Sequence, residues 1–298
     1  MRQPSQRAKT ADKAATGILY GIAGFFLVLL AAFTGYILYK GIVAFQPEYL
    51  SFTRQGIGIQ FFNTVYLVVL SLLISAAIGI AAGIYMAEYA GKGWMTRFLR
   101  TCIETLASLP SIVVGLFGYL VFLVMTGAHW NLLAGALAVS ILNIPSLATV
   151  TEDALEGVPE YYREGSFGLG ATHWQTITGV LLPTAMPRII TGIVMAAGRG
   201  FGEAAALLFT SGMSSDVNFS NWNPFSLSSP LNCMRPADTL AVRIWALKTE
   251  GVEANAAQLS DLSSAVLILM VFVFSLGSRR IGARLERRLT GESKGNEK

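Results

Sequence analysis

Two opposite charges lie inside a long apolar stretch of this sequence. Residues 196–209 read AAGRGFGEAAALLF, which places Arg199 and Glu203 four positions apart. On a continuous helix, residues with this spacing lie on one face, so we predict that the two side chains are neighbours. A guanidinium group matches an oxyanion through paired N–H donors. Arg199 and Glu203 are therefore candidate residues of an anion path, and the alternative is a self-neutralising pair with a structural role.

The composition around this pair is that of a membrane protein. Of the 298 residues, 53% are hydrophobic and 13% are charged, whereas a soluble protein carries about 25% charged residues. A helix of about 20 apolar residues spans a bilayer. An arginine near the centre of such a helix costs about 2.5–3.5 kcal/mol, so Arg199 is expected to face a cavity or a partner. Long charge-free stretches lie between Lys13 and Lys40, Arg54 and Glu88, and Glu104 and Glu152.

Six transmembrane helices account for the apolar stretches, which predicts an all-α membrane protein. The residues TGAHWN at 126–131 interrupt the longest stretch, and Gly127 with its polar neighbours predicts a short hairpin turn. The predicted spans are 17–39, 64–87, 105–126, 130–150, 188–210 and 262–278.

The distribution of basic residues predicts that both chain termini are cytoplasmic. With that orientation the cytoplasmic segments hold 16 lysine and arginine residues and the external segments hold 5. Basic residues are enriched in the cytoplasmic loops of membrane proteins. The topology explains the net charge of +4 without a nucleic-acid partner.

The chain carries no pattern typical of an enzyme. It contains neither a phosphate-binding loop of the form GxxxxGK[ST] nor an HExxH helix. Cys102 and Cys233 fall on opposite sides of the membrane in the predicted topology, so they cannot pair, and two lone cysteines do not make a metal site. We therefore expect no catalytic residue, no metal and no cofactor. Energy for uphill transport must come from a partner or an ion gradient.

The loop at 151–187 is long for a connection between membrane helices. We expect Gly170 to bend the chain between two short helices, and His173 to be a surface or interface residue. Pro183 is predicted to end the second helix, and Pro187 is predicted to begin the next span. Two short, partly apolar helices suit docking into a groove of another protein. An ordinary amphipathic interfacial loop explains the residues equally well.

This loop resembles the EAA loop of ABC-importer permeases. That pattern reads E-A-A, three residues, G, nine residues and I-x-L-P, and residues 164–183 match every spacing. The differences are Gly165 and Ser166 in place of two alanines, and Val180 in place of isoleucine. In the family, the loop inserts into a cleft on the ATPase subunit and transmits its closure. The resemblance assigns ATPase coupling to Glu164, Gly165, Ser166, Gly170, Val180, Leu182 and Pro183.

A narrower resemblance is to permeases that transport phosphate. Residues 198–212, GRGFGEAAALLFTSG, are similar to their Gly-Arg-x-x-Gly-Glu pattern, and residues 109–122, LPSIVVGLFGYLVF, are similar to their third span. Phosphate transporters pair two permeases, and the residues after Glu203 together with ADTLAVRIWAL at 237–247 resemble the PstA type more than the PstC type. The run Ala204-Ala205-Ala206 departs from the Thr-Ala-Pro that is usual in PstA.

The resemblance implies a type I, MetI-like permease fold of six helices, in which the first helix is an addition to a shared five-helix core. The permease domain covers residues 57–280, including the EAA-like loop 151–187 and an external loop at 211–260. A cytoplasmic tail at 1–16 and a first helix with an external segment at 17–56 precede this domain, and a cytoplasmic tail follows at 281–298.

The same resemblance implies an inorganic phosphate importer in the bacterial cell membrane. The implied partners are a second, PstC-like permease in a heterodimer, two cytoplasmic PstB-like ATPase subunits and an external PstS-like phosphate-binding protein. An alternative in the same class is a permease for sulfate or molybdate. An alternative from another class is a stand-alone channel or ion-coupled carrier, against which the EAA-like spacing argues.

Overall fold

The structure is a computed structural model that describes residues 6–53, 56–91, 93–251 and 255–289. Within these ranges the regular secondary structure is entirely helical. The α-helices are α1 (Gln6–Val43), α2 (Gly58–Ile84), α3 (Trp94–Ser108), α4 (Ser111–Gly118), α5 (Leu132–Glu156), α6 (Glu160–Gly168), α7 (His173–Thr176), α8 (Leu182–Gly202), α9 (Ala205–Thr210), α10 (Leu240–Thr249) and α11 (Ala256–Leu289). A short 3-10 helix forms at Pro47–Leu50, and π-helical turns form at Tyr85–Tyr89, Tyr119–Val124 and Ile177–Leu181.

The length and composition of the helices confirm the predicted membrane class. Five helices in the described ranges are long and apolar enough to cross a bilayer, and a bent pair of helices brings the number to as many as six. The first of them, α1, exposes nearly all its apolar side chains and meets the bundle where Gly41 lies against Ala265 of α11. Apolar side chains on the outside of the bundle suit a lipid environment, in which they cost nothing to expose.

The central helix of the bundle is α5, which has buried residues in every turn. It packs closely on α2, where Gly79 and Gly83 face it. A Cβ atom at Gly83 would lie 2.5 Å from the Thr151 Cβ and 2.6 Å from the Ala148 carbonyl oxygen. Only glycine permits so close an approach of two helices. The α2–α5 pair therefore forms a rigid centre against which α8 packs.

The third predicted span, 105–126, is wrong as a single helix. The chain bends by 101° between α3 and the helix Ser111–Val124. Leu109 at the bend has φ −68° and ψ 132°, an extended conformation. Pro110 explains the break, because its ring disfavours helical geometry in the preceding residue and it donates no backbone hydrogen bond.

The fifth predicted span, 188–210, is also not one helix. Helix α8 ends at Gly202, Glu203 has an extended backbone with φ −72° and ψ 123°, and α9 begins at Ala205. Two glycines, Gly200 and Gly202, precede the break, and glycine costs about 1 kcal/mol relative to alanine in a helix.

At its other end, the fifth span begins earlier than predicted, so the roles expected for two prolines are wrong. A continuous helical stretch runs over His173–Gly202. Pro183 lies at the start of α8 and Pro187 lies inside it. The π turn Ile177–Leu181, in which the Leu182 N–H bonds to the Ile177 carbonyl, directly precedes Pro183. The shifted hydrogen bonds of a π turn accommodate prolines that would otherwise end a helix.

The hairpin predicted at 126–131 is confirmed. Gly127 has φ +70°, which glycine adopts without strain, and the Asn131 side chain accepts a hydrogen bond from Ala134 N to cap α5. The predicted external loop 211–260 contains α10 and the first turn of α11. Residues 1–5 and 290–298 of the predicted tails lie outside the described residues.

Candidate functional site

The EAA-like segment, residues 164–183, folds as two helices joined by a tight turn. Glu164, Gly165 and Ser166 lie on α6, and Gly170 follows with φ +85°. Glycine is favoured there because this left-handed conformation strains other residues. Thr172 then caps α7, since its hydroxyl accepts from Gln175 N while the Gln175 side chain accepts from Thr172 N. The expected bend at Gly170 is therefore confirmed.

A buried apolar cluster fixes the segment to the transmembrane bundle. Its members come from the end of α5 and the loop after it, from the π turn before α8 and from α8 itself, and they are Ala154, Leu155, Val158, Ile177, Leu181, Ala185 and Ile189. Ile80 and Ile84 of α2 pack against the same cluster. The segment is thus joined to three spans, and a displacement of one is transmitted to the others through close-packed side chains.

The tip of the segment exposes the residues that the EAA pattern assigned to coupling. Glu164 and Gly165 are exposed, whereas Ser166 is half-buried and its hydroxyl lies 2.9 Å from that of Thr176. Val180, Leu182 and Pro183 are half-buried on the helix that follows. Several large apolar side chains on and around the turn are exposed, namely Tyr161, Phe167, Leu169 and Trp174. Of these, Leu169 is 92% exposed.

A charged network at the base of the segment escaped the sequence prediction. The Glu88 carboxylate, at the end of the second span, accepts from Arg163 Nη2 at 2.7 Å and lies 3.3 Å from His173 Nε2. Arg163 also donates to the Leu155 carbonyl oxygen and to Glu160. Hydrogen bonding to Glu88 raises the pKa of Arg163. The network joins α6 and α7 to the second span.

The second candidate site lies at the break after α8. Arg199 is exposed on this chain, and its Nη1 donates to the Leu142 carbonyl oxygen of α5 at 3.2 Å. Next to Leu142 in sequence, Asn143 is buried, and neither of its amide atoms has a hydrogen-bond partner within the described residues. The Arg199 guanidinium is therefore held against the backbone of α5 at the residue before Asn143.

The predicted contact between Arg199 and Glu203 is wrong. Within the described residues no ion pair joins the two side chains. Because the backbone leaves the helix at Glu203, its carboxylate turns to α9, where Oε1 accepts from Ala206 N at 3.1 Å. Glu203 therefore stabilises the start of α9 as a capping group does.

The end of the bundle opposite the EAA-like segment holds a second polar network. Arg235 is buried, and it donates to Asn63 Oδ1 at 2.7 Å and to the carbonyl oxygens of Ser229 and Pro230. Burial lowers its pKa to about 10, so the group stays charged at neutral pH. Asp238 is buried beside a cavity of about 670 Å³ and accepts from Gln60 and Ser215.

Comparison with known proteins places this architecture in a class of membrane permeases. Residues 79–291 match the family described as "Binding-protein-dependent transport system inner membrane component". The chain belongs to this family of ABC transporter permeases. As in the family, it is a multi-pass membrane subunit that functions with an ATPase and a binding protein, and it is not itself the ATPase.

Two relatives and one solved structure illustrate the similarity. The chain is 43% identical over 289 residues to the probable ABC transporter permease protein YqgI of Bacillus subtilis, covering 95% of this chain and 98% of the relative. It is 40% identical over 145 residues to the phosphate transport system permease protein PstA of Yersinia pestis, covering 49% of each. A bacterial ABC transporter involved in the import of the acidic polysaccharide alginate contains a chain with a TM-score of 0.62 and 18% identity. That alignment covers 93% of this chain and 98% of the other, and it confirms the expected ABC-importer permease fold.

Proposed function

We propose that this chain is a permease subunit of an ATP-driven importer for inorganic phosphate. The observation that carries the proposal is the similarity to PstA, at 40% identity over 145 residues. The Arg199 side chain supports it, because a guanidinium exposed on the surface of a membrane-spanning helix needs either a partner or an anion. A phosphate oxyanion offers paired acceptors to the planar fork of arginine.

In this proposal Arg199 is anchored while the path is empty. Its Nη1 group donates to the Leu142 carbonyl oxygen, which leaves further N–H donors of the same group for an anion. Glu203 lies at the start of the next helix and contributes negative charge near the path. A nearby carboxylate lowers the affinity for an anion, which favours release over tight trapping.

The coupling role belongs to residues 164–183, with the exposed turn at Leu169 entering a groove of the ATPase subunit. Exposed apolar side chains on two short helices fit helix-in-groove recognition. The apolar cluster and the Glu88 network at the base then pass the motion to the spans. Both termini are cytoplasmic in this arrangement, and a second permease completes the path.

The proposal is tested by phosphate uptake in a strain that lacks only this chain and is complemented with it. Labelled phosphate is offered alone and with excess sulfate or molybdate. We expect complementation to restore uptake and neither competitor to reduce it. Uptake that is unchanged by deletion, or restored only for sulfate or molybdate, would overturn phosphate as the substrate.

A further inference from the structure

Helix α3 is strongly two-sided, and none of its residues is buried. Trp94 and Phe98 lie on one arc of the helix, with Met95 and Leu106 beside them, and all four side chains are exposed. Arg97 and Glu104 lie on a neighbouring arc, about 80–100° around the helix from the middle of the Trp94–Phe98 pair, and are also exposed. A helix with this division of apolar and charged residues suits a boundary between an apolar and an aqueous phase.

A third arc of α3 faces the bundle. Leu99 and Ile103 are half-buried there, and α3 packs against α5. On the same side, Arg100 Nη2 donates to Glu152 Oε1 at 2.5 Å, which ties the helix to the last turns of α5. The apolar arc at Trp94 is therefore left without a partner from α5. This tie places α3 at the end of the bundle that carries the EAA-like segment.

The angle of α3 to the next helix defines its direction relative to a bilayer. The bend of 101° separates it from Ser111–Val124, which packs beside the spanning helix α5. A helix at nearly a right angle to a span runs close to parallel with the membrane surface. Beyond the bend, Ile112, Val113, Leu116 and Phe117 of α4 are also exposed.

We propose that α3 lies in the headgroup region of the phospholipid bilayer with Trp94 and Phe98 inserted toward the acyl chains. Tryptophan favours this depth because its ring is apolar and its N–H group is polar. Arg97 on the other arc then reaches water and lipid phosphates. The direction of the helix, close to parallel with the membrane surface, favours lipid over a second protein.

Such a helix fixes the bundle at the level of the membrane surface. The Arg100–Glu152 contact links it to α5 five residues before the chain leaves that helix for the EAA-like segment at Gly157. A displacement of the EAA-like segment is therefore opposed by a helix that is held in the membrane surface. This role follows from the position of α3 and holds for any transported substrate.

Spin labels at two positions of the full chain test the proposal. Phe98→Cys and the matched Glu104→Cys are made where Cys102 and Cys233 are serine, labelled with a nitroxide, and studied in native membrane vesicles. We expect the ratio of oxygen to nickel-chelate accessibility to be several-fold higher at 98 than at 104. Equal ratios, which place both positions in the same environment, or exclusion of both reagents at 98, which indicates a covering protein, would overturn the proposal.

A second measurement leaves the helix unlabelled. Brominated lipids quench tryptophan fluorescence only at short range, so Trp94→Phe is expected to lower the quenchable fraction relative to the unaltered chain. Unchanged quenching in a variant that inserts normally would also overturn the assignment to lipid.

Discussion

Arg163 of α6 donates to the Glu88 carboxylate across 2.7 Å, and this contact joins the EAA-like segment to the second span. The Glu88 side chain is only 4% exposed and that of Arg163 is 15% exposed. Because both groups have lost most of their water, each depends on the other for compensation of its charge. The contact therefore differs from the bond between Arg163 and the exposed Glu160 at 3.0 Å.

We predict that Glu88→Ala uncouples ATP hydrolysis from transport. Removing one partner of a buried ion pair costs about 3–5 kcal/mol, since the other charge stays buried, and the base of α6 then loses its attachment to the second span. Uptake should fall severely while the chain still reaches the membrane. The measurement is substrate uptake together with the ATPase activity of the assembled transporter.

Glu160→Ala is the matched control, because it removes the other carboxylate that Arg163 contacts. An exposed pair contributes about 0–1 kcal/mol, so transport should stay near normal. If both alanine variants behave alike, the Glu88 contact has no special part in coupling.

The Gly170 turn gives a second prediction, based on backbone strain. Its φ of +85° is costly for alanine, at about 1–2 kcal/mol, although no atom within 4 Å would obstruct a Cβ. Gly170→Ala should therefore weaken coupling by altering the angle between α6 and α7. The assay is the ATPase activity stimulated by the assembled permease.

Gly165→Ala serves as the control for that change. Gly165 lies within α6, and there too no atom within 4 Å would obstruct a Cβ, so alanine should stabilise the helix by up to about 1 kcal/mol. Transport should be unimpaired in this variant. Loss of activity in Gly165→Ala, with normal activity in Gly170→Ala, would contradict the importance of the turn.

Asp238 provides a prediction about pH. Burial raises its pKa, and hydrogen bonds from Ser215 and Gln60 only partly oppose the shift. In the unfolded chain the carboxyl ionises near pH 4. As the pH rises above that value, the unfolded state loses its proton first, so this group lowers the stability of the fold with increasing pH.

Asp238→Asn should remove that contribution, since an amide does not ionise. The Gln60 Oε1 atom, which is buried without a hydrogen-bond partner within the described residues, can accept from the new amide after the Gln60 side chain turns over. The difference in melting temperature between the variant and the unaltered chain, measured in detergent, should grow in favour of the variant as the pH is raised above about 4. A difference that is independent of pH would show that Asp238 does not titrate in this range.

The sequence predicted those features that depend on composition and short spacing. Charge-free stretches located α1, α2, α5 and α11, and the pattern from Glu164 to Pro183 located a helix–turn–helix with its bend at Gly170. The contact between Glu88 and Arg163 escaped prediction because its partners are 75 positions apart and meet only when α2 and α5 pack. The break at Glu203 escaped because apolar residues continue on both sides, so hydropathy shows no boundary.

The break leads to a prediction about Glu203 as a capping group. Glu203→Gln keeps an oxygen that accepts from Ala206 N, so it should retain the start of α9 and most transport. Glu203→Ala removes the acceptor and should lower stability by about 1 kcal/mol. The measurements are membrane protein level and uptake for both variants. Because both variants lose the charge, a role that requires the charge predicts that both fail, whereas the capping role predicts a defect in Glu203→Ala alone.

The last prediction concerns Arg199 and separates an anion path from a structural role. Arg199→Ala should abolish phosphate uptake while the chain stays in the membrane, and Arg199→Lys should be nearly as severe, since lysine keeps the charge but loses the planar fork. Exchanging the charges, as Arg199→Glu with Glu203→Arg, should not restore uptake, because the two side chains form no ion pair that an exchange could rebuild.

Arg188→Lys is the control, as Arg188 is also exposed on α8 and donates to a carbonyl oxygen of α5, that of Asp153. Normal uptake by Arg199→Lys, or loss of the protein in Arg199→Ala, would assign Arg199 to the structure of the bundle instead.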